Sequence, residues 1–281
     1  MAFFNINHSS LDHTFYPKSV SKKTGGAAAR TLRAEGFQGR VVLVCDENHW
    51  PYERPPLSKG FLNGTSTPES FTLLTDKFAA AQRIEFWPAT RVARIDRTNR
   101  LVSCSDGRTL NYAKLFLATG GRPKALPGLW EESSARVHAL RTRDDALRLR
   151  AALAPSRHLL VIGGGWIGLE AAATARLSGV EVTILEAGPR LCARTVPAAV
   201  SEFLLALHEG NGVTVKTAAA LSALHSGESH VTARLTSGEV IGADHVLVGI
   251  GIAPNTEIAA ACGLEVRNGV VVDDQGRTSD P

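Results

Sequence analysis

The chain has 281 residues, enough for two domains, and its 44% hydrophobic and 21% charged content belongs to a folded globular protein rather than a disordered one. A formal net charge of +4, with lysines and arginines interspersed among acids, leaves no nucleic-acid footprint, and no apolar run is long enough to span a membrane. The four cysteines, Cys45, Cys104, Cys192 and Cys262, form no close pair, and residues 1–23 lack a signal-peptide core, so a cytoplasmic protein without a thiol redox centre or metal site is expected.

In chain order, a helix is predicted over residues 26–35 and a strand over 40–45, with Asp46 and Glu47 at the strand's end. PYERPPLSKGFL then breaks the pattern: paired prolines fix the backbone between Arg54 and Lys59, two cations that on their own read as solvated surface. Strands follow near 91–95 and 101–104, then an Asp106-Gly107 turn and a strand over 114–118 that runs into Ala118, Thr119 and Gly120. ALRTRDDALRLRAAL, residues 139–153, reads as an amphipathic helix.

The most informative stretch is HLLVIGGGWIGLEAAATARLSGVEVTILEA, residues 158–187. Residues 158–162 form a short buried strand, and Gly163, Gly165 and Gly168 make a GxGxxG turn. The first glycine permits the tight bend, the second lets backbone approach a pyrophosphate, and the third lets the helix pack on the strand. That helix presents N–H groups and a positive dipole end to phosphate, and the next strand, 181–186, ends in Glu186, a carboxylate suited to a ribose hydroxyl. A glycine-rich turn alone is weak evidence; strand, glycines, helix, strand and acid in order point to dinucleotide binding. Strands are then predicted at 212–216, 218–224 and 230–235, with a last one at 244–249 leading into GIGIAPN. The two halves repeat one design, and PYERPPLSKGFL supplies the first half's insertion of roughly a dozen residues.

GGAAARTLRAEGFQGRVVLVCDENHWPYERPPLSKGFLNG, LFLATGGRP, VIGGGWIGLEAAA, VLVGIGIAPN and GVVVDDQGRTSDP, in that order, resemble the flavin-dependent ferredoxin reductases of aromatic-ring dioxygenase and related monooxygenase systems. This is a branch of the pyridine-nucleotide oxidoreductase superfamily, and the likeness is strongest to reductases of phenylpropionate- and biphenyl-type dioxygenases. It implies an α/β fold of two Rossmann-like, three-layer dinucleotide-binding domains. FAD binding falls to residues 24–123 and, after the chain's return, 249–281, and NAD binding to 124–248.

Carried over by motif, Arg54 lies near the FAD phosphate and ribose, Lys59 near the isoalloxazine, and Asp46, with Glu47 beside it, at the adenosine ribose of FAD. Ala118, Thr119 and Gly120 form the turn against FAD. Gly163, Gly165, Ile167 and Gly168 form the pyridine-nucleotide site, with Glu170 near the nicotinamide and Gly249 and Gly251 closing that side. Glu186 favours NAD(H) over NADP(H), although Arg190 and Arg194 offer charge to a 2′-phosphate. Lys59 and Glu170 are the expected catalytic pair.

The implied reaction passes a hydride from NADH to FAD and then single electrons to a [2Fe-2S] ferredoxin serving an aromatic-ring dioxygenase. The missing cysteine pair separates the chain from disulfide reductases of the superfamily. An NAD(H)-binding remnant without FAD, or a rubredoxin reductase or NADH oxidase, is the alternative. The first two glycines of the FAD pyrophosphate turn fall at Val20 and Lys22, leaving Gly25, and Pro17 lies where a strand belongs. Residues 1–23 thus read as a divergent arm that impairs FAD retention, and the FAD domain is expected to be incomplete, without the family's C-terminal interface domain.

Overall fold

A computed structural model describes residues 24–126, 134–155 and 157–280; Pro17, Val20 and Lys22 of the divergent arm lie outside them. The chain divides into two compact units. The first comprises described residues up to Glu53, then Glu69–Gly121 and the stretch from Pro254; the second comprises Arg54–Pro68 and Arg122–Ala253.

The first unit begins with helix α1 (Thr24–Ala34) and strand β1 (Val41–Val44), followed by α2 (Asp76–Ala81) and β2 (Ile84–Trp87). β1 pairs parallel with β2, and an antiparallel sheet of β3 (Val92–Asp96), β4 (Leu101–Cys104) and β5 (Thr109–Asn111) follows. β1 is apolar at every position because both faces are covered: Val41 and Leu43 pack with Ala29 and Leu74, while Val42 and Val44 pack with Val92, Ile95 and Val102.

None of the ladders among the described residues includes the strand expected over 114–118. Those residues still alternate as a central strand does, with Leu115 and Leu117 against the second cluster and Phe116 and Ala118 against the first.

After β6 (Gly121–Pro123), the second unit contains β7 (Val137–His138), α3 (Arg143–Ala152), β8 (His158–Ile162), α4 (Trp166–Leu177), β9 (Glu181–Leu185), α5 (Ala198–Gly210) and β10 (Thr214–Lys216). Strands β11 (Leu221–Ser226), β12 (Val231–Leu235) and β13 (Val240–Ala243) form an antiparallel meander, and β14 (His245–Val248) returns to the main sheet. That sheet is wholly parallel in the order β10-β9-β8-β14-β7. Leu159 and Val161 of β8 pack with Leu169, Ala172 and Leu149 of the helices, while Leu160 and Ile162 pack with Val231, Ala233 and Leu235 of the meander. This is a three-layer α/β unit whose central strand is apolar from Leu159 to Ile162 because both faces are buried there. The chain leaves through β15 (Ile252–Pro254), and α6 (Glu257–Ala261) packs on β3.

Three boundaries differ from the sequence expectation. The 139–153 helix starts only at Arg143, because Thr142 caps it: the Thr142 hydroxyl accepts from the Asp145 N–H at 3.1 Å and the Asp145 carboxylate accepts from the Thr142 N–H at 2.7 Å. Thr142→Ala is expected to lower stability by about 1 kcal/mol in chemical denaturation; an unchanged midpoint would refute the cap's contribution. The strand expected at 218–224 is displaced to β11, since Ala218 has φ +50° and donates its N–H to the Gly188 carbonyl at 2.7 Å. Residues 54–68, expected in the FAD domain, pack within the second unit, because Leu62 is buried in the helix-side core with Leu149 and Leu169.

Candidate functional site

The glycines of the 163–168 turn have distinct physical duties. Gly163 has φ +109°, donates to the Leu185 carbonyl at 2.7 Å, and would place a Cβ 2.6 Å from the Gly249 carbonyl oxygen. A Cβ on Gly168 would lie 2.2 Å from the Gly163 carbonyl oxygen, so α4 can start this close to β8 only with glycine there. Gly165 is different: it caps α4 with φ −88° and ψ 176°, and a Cβ on it would meet nothing within 4 Å. No side chain caps α4, which leaves its first N–H groups without a side-chain acceptor, the arrangement that receives phosphate. Ile167 lies in this first turn, 41% exposed.

Glu186 follows β9 directly. Its Oε2 accepts from the Gly164 N–H at 2.8 Å and its Oε1 from the Gly188 N–H at 2.7 Å, which holds the carboxylate against the glycine turn. Gly164 and Gly188 escaped the sequence reading; GGG and AGP were the available signals. Gly249 donates to the Ile162 carbonyl at 2.7 Å, tying β14's end to the same turn. Gly251 has φ +115°, and a Cβ there would lie 3.7 Å from Arg194 Nη2. Arg194 is exposed, whereas Arg190 is committed to its own loop, donating to the Val196 and Ala193 carbonyls and the Ser201 hydroxyl at 2.8 to 2.9 Å. Beneath the turn, the Cys192 thiol points at the Gly164 carbonyl, and burial pushes its pKa up, so it acts as packing.

Lys59 and Glu170, 111 positions apart in sequence, meet in the second unit with Lys59 Nζ 2.5 Å from Glu170 Oε2. Glu170 sits in the second turn of α4 and Lys59 directly follows the 3₁₀ turn Pro55–Ser58. Arg54 precedes that turn and donates from Nη1 to the Arg141 carbonyl.

The remaining FAD-assigned residues belong to the first unit. Asp46 is exposed just beyond β1, and Glu47 accepts a 2.5 Å hydrogen bond from the Tyr52 hydroxyl. Gly120 has φ +63°, and the turn is laced to Asn255: the Thr119 hydroxyl donates to the Asn255 carbonyl at 2.6 Å, the Asn255 side-chain amide donates to the Thr119 carbonyl at 2.9 Å, and the Asn255 N–H donates to the Gly120 carbonyl at 3.0 Å. Ala118 packs in the cluster with Val41 and Leu43. Gly25 is buried in the first turn of α1, where its neighbour Gly26 makes the close approach: a Cβ there would lie 2.6 Å from Pro51 Cβ. No described helix is long and apolar enough to cross a membrane.

Residues 24–281 match the model of the pyridine nucleotide-disulphide oxidoreductase family. The chain is 41% identical over 264 residues to putidaredoxin reductase CamA of Pseudomonas putida, covering 92% of this chain and 62% of that protein. It is 41% identical over 263 residues to a rubredoxin-NAD(+) reductase of the same species, covering 93% of this chain and 68% of that protein. The reductase structure in a covalent putidaredoxin reductase–putidaredoxin complex superposes with a TM-score of 0.87 at 40% identity, over 92% of this chain and 63% of that one. The chain thus spans less than two thirds of the first relative's length.

Proposed function

The chain belongs to the pyridine nucleotide-disulphide oxidoreductase family, and from that premise we propose that it serves NADH-dependent, FAD-mediated electron transfer to a [2Fe-2S] ferredoxin of an aromatic-ring dioxygenase system. The observation that carries this reading is the second unit's glycine turn, where an uncapped helix start, the open space at Gly165 and a fixed carboxylate at Glu186 fit a dinucleotide. The α4 N–H groups hold the pyrophosphate. Glu186 accepts from a ribose hydroxyl and repels a 2′-phosphate, and Arg190 is already engaged in its own loop rather than held out to such a phosphate. Lys59 and Glu170 stand at the nicotinamide end, where their ion pair orders charge beside the reacting rings.

For FAD, the residues present fit in part: Gly120 has the left-handed turn that close backbone approach requires, and Asp46 is an exposed acid at a strand end. When bound, the flavin supplies the conversion of two-electron hydride chemistry into single-electron release. A rubredoxin is the competing acceptor, favoured by the 41% identical rubredoxin-NAD(+) reductase.

The test is calorimetric titration of the purified chain with NADH, NADPH and ADP-ribose, followed by cytochrome-coupled assays with a [2Fe-2S] ferredoxin or a rubredoxin. NADH is expected to bind more tightly than NADPH, and Glu186→Gln to weaken NADH about tenfold while narrowing that preference. Failure to bind ADP-ribose would remove the nucleotide reading, and reduction of rubredoxin alone would reassign the acceptor.

A further inference from the structure

One buried pair of hydroxyls has no place in the reading above. Ser58, 1% exposed, ends the 3₁₀ turn Pro55–Ser58, and Thr174, 6% exposed, lies on α4 one helical turn beyond Glu170. The Thr174 hydroxyl donates to the Ser58 carbonyl at 2.7 Å, and the Ser58 hydroxyl donates to Glu170 Oε2 at 2.5 Å, the oxygen that Lys59 also meets. Residues 54–68 are therefore pinned to α4 at two points, one through backbone and one through a side chain. The first bond is buried and so strengthened by its shielding from water, and the second is part-buried.

The geometry has a consequence for Lys59. Its side chain is long and rotamer-rich, and at 49% side-chain exposure its ion pair with Glu170 gains little from Coulomb attraction alone. The Pro55–Pro56 backbone, the Thr174 bond to Ser58 and the Ser58 bond to Glu170 bring both ends of that pair into place before any ligand arrives. Ser58 also takes up one acceptor lone pair of Oε2, so Lys59 approaches the same oxygen from a defined side.

We infer that Ser58 and Thr174 are positioning residues that hold the Lys59–Glu170 pair ready for the nicotinamide end of the dinucleotide. The inference rests on the reading that places Glu170 there, so its test separates the two ends of the ligand. NADH presents a nicotinamide, whereas ADP-ribose presents only the portion addressed by the glycine turn and Glu186.

The full chain is titrated calorimetrically with NADH and with ADP-ribose, without added flavin. Ser58→Ala and Thr174→Val are each expected to weaken NADH about five- to tenfold and to leave ADP-ribose within about twofold of the parent. Thr174→Ser, which keeps the hydroxyl, is expected to restore NADH affinity. Equal losses for both ligands would reduce the pair to a structural role, and unchanged NADH affinity in both variants would overturn the proposal. Loss of ADP-ribose binding by the parent chain would instead strike the underlying nucleotide reading. Where a variant unfolds, the Thr174→Ser and Thr174→Val pair, compared at matched folded fraction, still decides the matter.

Discussion

Gly168→Ala is expected to lower the stability of the second unit by about 3 kcal/mol and abolish ADP-ribose binding, whereas Gly165→Ala leaves stability within about 1 kcal/mol and abolishes binding alone. The difference lies in what each new methyl group meets. At Gly168 it would sit 2.2 Å from a backbone oxygen of Gly163, which cannot rotate away as a side chain can, so the start of α4 has to lift from β8. At Gly165 the methyl enters open space, in a backbone conformation that alanine adopts without strain, and it occupies the volume through which a pyrophosphate would approach. Denaturant unfolding and calorimetry on the two variants separate fold from binding. ADP-ribose affinity in Gly165→Ala equal to the parent's would show that the open space is not a ligand cradle.

The second large effect is a loss of stability on acidification, centred on a histidine pair. His138 in β7, 8% exposed, has its Nε2 3.2 Å from Nδ1 of His245 in the adjacent β14. Burial, then the neighbouring His245 and Arg148, push the His138 pKa down to about 4 against a smaller upward pull from Asp145. Burial also lowers that of His245, with Arg136 and Arg157 acting in the same direction and Asp244 opposing them. In the unfolded chain these rings take up protons near pH 6.5, while in the folded protein His138 resists until about pH 4. The unfolded state therefore binds more protons throughout that window, and stability falls as pH drops through it and levels off below. For His138 the loss amounts to about 3 kcal/mol. Denaturation midpoints measured between pH 7.5 and 4 check this, with His138→Leu expected to flatten most of the slope. An unaltered slope in that variant would assign the acid sensitivity elsewhere.

Both effects come from the second unit, and they differ in how legible they were. The glycine turn was readable because a tight bend, a close helix start and an open approach each constrain the residue type at one position, and such constraints leave local traces. Glu186 was readable for the same reason: a strand of known register ends at a fixed place. The histidine pair left no trace, because its chemistry depends on two strands, 107 positions apart, lying side by side. The helix α5 also passed unread. Phe203 is 64% exposed and Leu207 47%, so the helix shows no clean contrast between an apolar and a polar face.

The insertion PYERPPLSKGFL marks the boundary most clearly. Its prolines and cations announced a special segment, in which the resemblance assigned Arg54 and Lys59 to FAD; from Arg54 onward, with Leu62 buried and Ser58 bonded to α4, it groups with the unit that carries the glycine turn. Residues 114–118, by contrast, show the alternating packing that the strand pattern in their sequence leads one to expect.

From sequence alone came the α/β class, the β8–α4–β9 unit with its glycine turn, and the acid that ends it, because each rests on backbone geometry among residues close in the chain. Tertiary structure alone decided which unit holds Lys59, that Ser58 and Thr174 brace it against Glu170, that Arg190 is spent on its own loop, and that two histidines share a buried strand pair. Those outcomes depend on which distant surfaces exclude water from one another, and such burial is a property of the packed chain rather than of any segment within it.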